Sequence, residues 1–172
     1  MLYELKDWKG FERLPRKGKY LRYYLAGFAD GESSFNVSIK KHPSMKYGWV
    51  VDPVFQVYQH KKNLPMLELF RRVLNCGYIK PKSPKSNVYV YIVSERKTLA
   101  EKVIPFFRKY KLLSSKWEDF LLFEEIIKKM QKKEHLTKEG LIEIIKLAHR
   151  MNQQGKQRKY SLKEILKDLS SL

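Results

Sequence analysis

The sequence predicts an α+β domain on one four-stranded antiparallel sheet, in the order helix, two strands, helix, two strands, then helices. Three observations predict it. Residues 34–42, SFNVSIKKH, alternate: Phe35, Val37 and Ile39 fall on one face, and Asn36, Ser38 and Lys40 on the other. Short turns rich in Pro, Gly, Ser and Asn join the strand-like runs in pairs, as antiparallel neighbours require. From about residue 97 onward the pattern is mostly helical.

Residues 1–18 mix Trp8, Phe11 and Leu14 with charges and end in Pro15-Arg16-Lys17-Gly18. They read as an N-terminal extension that packs or contacts a partner, ahead of a single domain over 19–172. A helix runs from about Lys19 to Asp30, followed by the strand at 34–42 and a turn at 43–48 with Pro43 and Gly48. The second strand is 49–60, WVVDPVFQVYQH, where Phe55 and Val57 alternate with Gln56 and Tyr58. Pro53 implies a bulge or an edge at that point. Residues 65–75 form a helix, with Pro65 at its start and Gly77 past its end. Two strands follow, 78–83 and 88–93, joined by Ser-Pro-Lys-Ser-Asn. The last strand is apolar on both faces, so its outward residues stay unassigned. Helices follow at about 97–109, 115–133, 137–152 and 161–170, with Thr137 as N-cap of the third.

With 172 residues the chain suits one compact domain, and 36 Lys and Arg against 18 Asp and Glu give a net charge of +18. That excess implies a polyanionic partner, nucleic acid before membrane. Cys76 is the only cysteine, so no disulfide can form within the chain and a cysteine-based zinc site is all but excluded. The chain fits a reducing compartment inside a cell. No apolar run approaches the roughly 20 residues of a membrane span, and no signal-peptide core follows Met1. The polar strand faces carry Asn36, Ser38, Lys40, Gln56, Lys80 and Lys82, with Tyr58 beside them. Asn and Gln can pair with adenine edges, and Lys with guanine or phosphate, so this face has the chemistry of a nucleic-acid groove reader.

The stretch YYLAGFADGESSF, 23–35, changes from helical to strand-like pattern at Gly-Glu-Ser-Ser. Gly27 and Gly31 stand one turn apart, and Glu32 follows at a helix C-terminus, where the macrodipole disfavours a carboxylate. YLAGFADGESSF resembles the signature of the LAGLIDADG homing endonucleases: Leu25, Ala26 and Gly27 match its first letters, and Asp30-Gly31-Glu32 its acidic end. VFQVYQH at 54–60 and GYIKPK at 77–82 are similar to the family's second and third strands. VIPFFRKYKLLSSKWEDFLLFEEI at 103–126 and HLTKEGLIEIIKLAHRMN at 135–152 are similar to its C-terminal helices. The resemblance covers roughly residues 20–155.

The resemblance implies an αββαββα fold and a site-specific double-strand DNA endonuclease, encoded by an intron or intein-like mobile element. Two signature helices would abut through Gly27 and Gly31. No second LAG..DGE occurs in 95–172, so the chain would act as a homodimer on a long pseudo-palindromic target. Glu32 and the carbonyl of Gly31 would hold Mg²⁺ with the scissile phosphates. Gln59 would help position a metal-bound water, and Lys116 would stand near the scissile phosphate, with Lys111 as its rival. Asn36, Ser38, Lys40, Gln56, Tyr58, Lys80 and Lys82 would face DNA. Ser33 stands where Gly is common in the family. His42, His60, His135 and His149 are not spaced as a metal site. No membrane and no small-molecule substrate is expected, and organelle, prokaryotic and archaeal settings all remain open. Two alternatives share the fold: an RNA-splicing maturase and a non-catalytic DNA-binding regulator.

Overall fold

The computed structural model describes residues 11–13, 18–152 and 158–171. Most of the N-terminal extension, including Trp8 and Leu14, lies outside them; Phe11–Arg13 form a single 3-10 turn. Helix α1 spans Gly18–Glu32 and passes without a loop into β1, Ser33–Lys41. The Ser33 hydroxyl donates to the carbonyl of Ala29 at 2.6 Å, which satisfies one of the helix's last acceptors. β2 spans Trp49–His60 and α2 Leu64–Leu74, followed by β3, Tyr78–Pro81, and β4, Val88–Val93. Pro65 opens α2, and Asn75, in the left-handed region at φ 51°, closes it. Gly77 has φ 74°, and a Cβ there would come within 2.6 Å of the Ile92 carbonyl oxygen, so no other residue fits.

The four strands form one antiparallel sheet in the order β1-β2-β4-β3. Pro53 sits opposite Val37 with the β1–β2 register unbroken, so no bulge forms there. β4 pairs with β2 only from Phe55 onward, so β2 has a free edge at Pro53 and no ladder bond is lost. β4 acquires its phase from packing: Tyr91 and Val93 join the core with Tyr89 against it, and Tyr91 donates its hydroxyl to the Cys76 carbonyl at 3.0 Å. Val90 and Ile92 point the other way yet are only 3% and 5% exposed. Gln56 and Tyr58 of β2 and Tyr78 and Lys80 of β3 flank them and shield them from water. A central strand with both faces covered carries no alternation for the sequence to display.

The expected helix at 97–109 is three pieces: α3, Arg96–Thr98, a π-helical turn, Leu99–Val103, and α4, Ile104–Lys109. Pro105 has no N–H for the carbonyl of Glu101, and the chain widens one turn ahead of it. Then come α5, Lys116–Gln131, α6, Lys138–Arg150, and α7, Leu162–Ser170. Thr137 caps α6 by accepting from the N–H of Gly140 at 3.1 Å. The core lies between the helices and one sheet face, centred on Phe35, Phe55, Phe70, Phe107, Phe120 and Phe123. The open edge of β1 is covered by side chains: Asn152 donates to the Phe35 carbonyl at 2.9 Å and Arg158 to that of Val37 at 2.7 Å. Among the described residues, no helix is long and apolar enough to cross a membrane.

Candidate nucleic-acid interface

Strand register assigns the second face of the sheet. Opposite pairs are Asn36 with Val54, Ser38 with Asp52, Lys40 with Val50, Tyr58 with Val90, and Lys80 with Val90. Asn36, Ser38, Lys40, Gln56, Tyr58 and Lys80 therefore share the face turned away from the core. Lys82 follows one residue beyond β3, and its ammonium lies 5.7 Å from the Tyr58 ring centroid. The Tyr58 hydroxyl donates to Gln56 Oε1 at 2.8 Å, so these two side chains are held as a unit. Sequence reasoning missed Asp52, which lies among these cations and bridges Lys40 at 2.9 Å. Its parity with Gln56 and Tyr58 along one strand was the available signal, interrupted by Pro53.

The α1–β1 junction lies at one end of this face. Glu32 is the last residue of α1 and is exposed, with Gly31 beside it. Asp30 turns the other way. Its Oδ2 accepts from the N–H groups of Leu113 and Ser114 at 2.8 and 3.0 Å, and its Oδ1 accepts from the Ser114 hydroxyl. Partial burial works to raise its pKa, but the Ser114 hydroxyl, these two N–H groups and Lys116 outweigh that and hold the carboxyl below its ordinary range. Asp30 thereby pins the 110–115 loop to α1 and delivers Lys116, the first residue of α5. The Lys116 ammonium donates to the carbonyls of Ala29 at 3.0 Å and Ser33 at 2.6 Å. Burial lowers its pKa against the opposing pull of Asp30, Glu32 and Asp119. The Lys111 ammonium lies 5.9 Å from the Trp117 ring centroid.

Gln59 shares the core-side parity of Phe55 and Val57, two residues beyond the partner of Ser33. Its Oε1 accepts from the His60 N–H at 3.0 Å and the Asn63 amide at 3.1 Å, bracing the corner between β2 and α2. Gly27 and Gly31 are exposed, and a Cβ built on either meets nothing within 4 Å. Tyr20, Tyr23 and Tyr24 are exposed on the same helix, while Leu25, Ala26 and Ala29 are buried. His42 contacts the Ser44 hydroxyl in the β1–β2 turn, and His60 Nδ1 accepts from the Lys62 N–H. Burial lowers the pKa of His135 and of His149. Among the described residues, no three His, Cys, Asp or Glu side chains come together to hold a metal ion. The junction supplies one carboxylate and nearby backbone carbonyls, oxygen donors suited to a hard divalent cation.

The family model for LAGLIDADG endonuclease matches residues 25–127. The chain is 37% identical over 123 residues to "Probable intron-encoded endonuclease 2" of Neurospora crassa, covering 71% of this chain and 27% of that protein. It is 30% identical over 151 residues to "Homing endonuclease I-ApeII" of Aeropyrum pernix, covering 86% and 89%. The solved structure "Archaeal Intron-encoded Homing Endonuclease I-Vdi141I Complexed With DNA" superposes with a TM-score of 0.83 at 34% identity, covering 90% of this chain and 98% of that one. The chain thus spans about a quarter of the length of the Neurospora relative and nearly all of the two archaeal-type ones.

Proposed function

The chain belongs to the LAGLIDADG endonuclease family, and from that premise we propose that it is a site-specific, Mg²⁺-dependent double-strand DNA endonuclease that acts as a homodimer. The observation that carries this reading is the α1–β1 junction. It sets an exposed carboxylate, Glu32, and a carbonyl-held ammonium, Lys116, at one end of a cationic sheet face.

The sheet face binds duplex DNA through Asn36, Ser38, Lys40, Gln56, Tyr58, Lys80 and Lys82. A strand of about 10 residues spans ~33 Å, close to ~10 base pairs of duplex, so a dimer covers about 20. Two identical protomers read a nearly palindromic site. Gly27 and Gly31, with open space over both α-carbons, let α1 approach its counterpart in the second protomer. That contact brings two Glu32 carboxylates and two negative helix ends together, a concentration of charge that calls for cations. Glu32 and the Gly31 carbonyl would hold Mg²⁺, which when bound supplies Lewis-acid activation for phosphodiester hydrolysis. Lys116, fixed by its two carbonyl partners, stabilises negative charge that develops at the phosphate. Gln59 keeps its amide NH₂ for solvent or phosphate while its oxygen braces the corner.

The test is a supercoiled plasmid that carries the uninterrupted form of the locus encoding the chain. Linear product at one site with Mg²⁺, and none in EDTA, is expected. Tight binding at that site without cutting would move the chain to the class of non-catalytic regulators. Binding confined to structured RNA would make it a maturase.

A further inference from the structure

Asp52 is out of character with its surroundings. The chain carries a net charge of +18, and the outer sheet face is otherwise cationic or neutral, so an acid there opposes a polyanion. Its bond to Lys40 does not explain it as a stabilising pair. The two side chains are 46% and 61% exposed, and exposed pairs contribute little to folding. The surrounding geometry is more informative. β4 pairs with β2 only at 55–60, whereas β1 pairs with β2 over 49–57. Lys40 and Asp52 therefore lie where β1 and β2 extend past the rest of the sheet as a two-stranded ribbon. A two-stranded ribbon is a shape that the DNA major groove admits.

We propose that Lys40 and Asp52 act together as a reader of base-pair orientation, a refinement that rests on the endonuclease reading above. Lys40 Nζ and Asp52 Oδ2 stand 2.9 Å apart, a donor beside an acceptor. The major-groove edge of a base pair presents the complementary arrangement. Guanine O6 accepts, cytosine N4 donates, and the two are hydrogen-bonded to each other, so they lie about 2.9 Å apart. The ion pair can face that edge with Lys40 on the keto base and Asp52 on the amino base. Thymine O4 and adenine N6 offer the same order, but guanine adds N7 as a second acceptor for the ammonium, whereas thymine adds a methyl group. G·C with guanine toward Lys40 is therefore first and T·A second. The reversed pairs, C·G and A·T, set a carbonyl oxygen against the Asp52 carboxylate and an amino group against the Lys40 ammonium, and are rejected. Lys40 lies seven residues beyond Ser33, about 23 Å along the strand, which places the pair it reads ~7 base pairs from the junction. An acid on this face thus excludes wrong sequences at the expense of general affinity.

The test is binding selection from a duplex library randomised across the target, in EDTA, with the wild-type chain, D52N and K40Q. Asparagine keeps the size of Asp52 but can both donate and accept, so it cannot enforce an orientation. The wild-type profile should contain one position per half-site, about seven pairs from the centre, at which the keto base, G or T, always stands on the same strand. D52N should lose about tenfold of the preference against the reversed pair at that position. K40Q should weaken the preference at the same position, and neither change should alter the other positions. A D52N profile superimposable on the wild type, or one relaxed evenly at all positions, overturns the assignment while leaving a site-specific binder. A wild-type chain that selects no sequence overturns both the assignment and the endonuclease reading.

Discussion

The ammonium of Lys116 lies 2.6 Å from the carbonyl oxygen of Ser33, the first residue beyond the helix that ends in Glu32. With its second bond, to the Ala29 carbonyl, it sets a cation on the negative end of α1. The same cation offsets Glu32 and has two carbonyl acceptors within the protomer. A preorganised charge of this kind loses little reorganisation energy when a phosphate becomes more negative.

Lys116→Met should lower single-turnover cleavage by about two orders of magnitude, ~3 kcal/mol, with a much smaller loss of target affinity. It should also lower folding stability by about 1–3 kcal/mol, since two carbonyls lose a charged donor. Lys111→Met is the control, because the Lys111 ammonium lies over the Trp117 ring, whereas that of Lys116 bonds the Ala29 and Ser33 carbonyls. Single-turnover rates and gel-shift affinities on one target check both. Equal losses of rate and affinity in the Lys116 variant would make it a phosphate anchor only.

Gly27 separates two descriptions of α1. Within the protomer a side chain at 27 meets nothing within 4 Å, so Gly27→Ala should raise protomer stability by about 1 kcal/mol through helix propensity. Gly27→Leu should leave the fold intact and still weaken self-association, because the larger side chain keeps two α1 backbones apart. Sedimentation against concentration is the measurement. A Leu variant that assembles as the parent does places the protomer contact elsewhere.

Most helices and strands were legible because their apolar residues follow one period at a time. Three features were not, each for a physical reason. Val90 and Ile92 are apolar on the outer face because neighbouring side chains shield them, so β4 carried no phase. The placement of Lys116 on the Ala29 and Ser33 carbonyls depends on a loop that Asp30 pins from over 80 residues away, a contact no local spacing encodes. The cover on the β1 edge likewise comes from Asn152 and Arg158, more than 100 residues along the chain. Glu32, Gly27 and Gly31 are conspicuous in the sequence because an acid at a helix C-terminus and glycines inside a helix are costly in isolation; the roles given to them above are proposals.

Glu124 should make the fold acid-sensitive. It is buried on α5 and bonds Arg108 of α4 and Lys128. Burial pushes its pKa up, but the two cations outweigh that and hold the carboxyl below its ordinary range. A depressed folded pKa gives stability that is present above the unfolded value of about 4.3 and lost as pH falls through the folded value. Glu124→Gln should therefore cost about 1–2 kcal/mol at pH 7, a figure reduced because Arg108 and Lys128 are 46% and 59% exposed. Melting temperatures at pH 7 and pH 3 should differ less in the variant than in the parent. An unchanged difference would assign the acid sensitivity to other carboxylates.

Glu32→Gln tests the centre of the proposed mechanism. The substitution keeps shape and removes one negative charge per protomer from the exposed end of α1. In a dimer, two carboxylates vanish from beside two negative helix termini and a polyanion, so binding without metal should be equal or tighter. With Mg²⁺, cleavage should be lost, because a neutral amide oxygen is a poor ligand for a hard cation that needs charge compensation. The stability of the protomer should change little, since the side chain is in water rather than in the core. Target affinity in EDTA, cleavage in Mg²⁺ and the melting temperature together distinguish the outcomes. Cleavage retained by the variant would refute the metal role of Glu32. A fall in affinity and melting temperature along with cleavage would instead make Glu32 a structural residue of the α1–β1 junction, in company with Ser33 and Asp30.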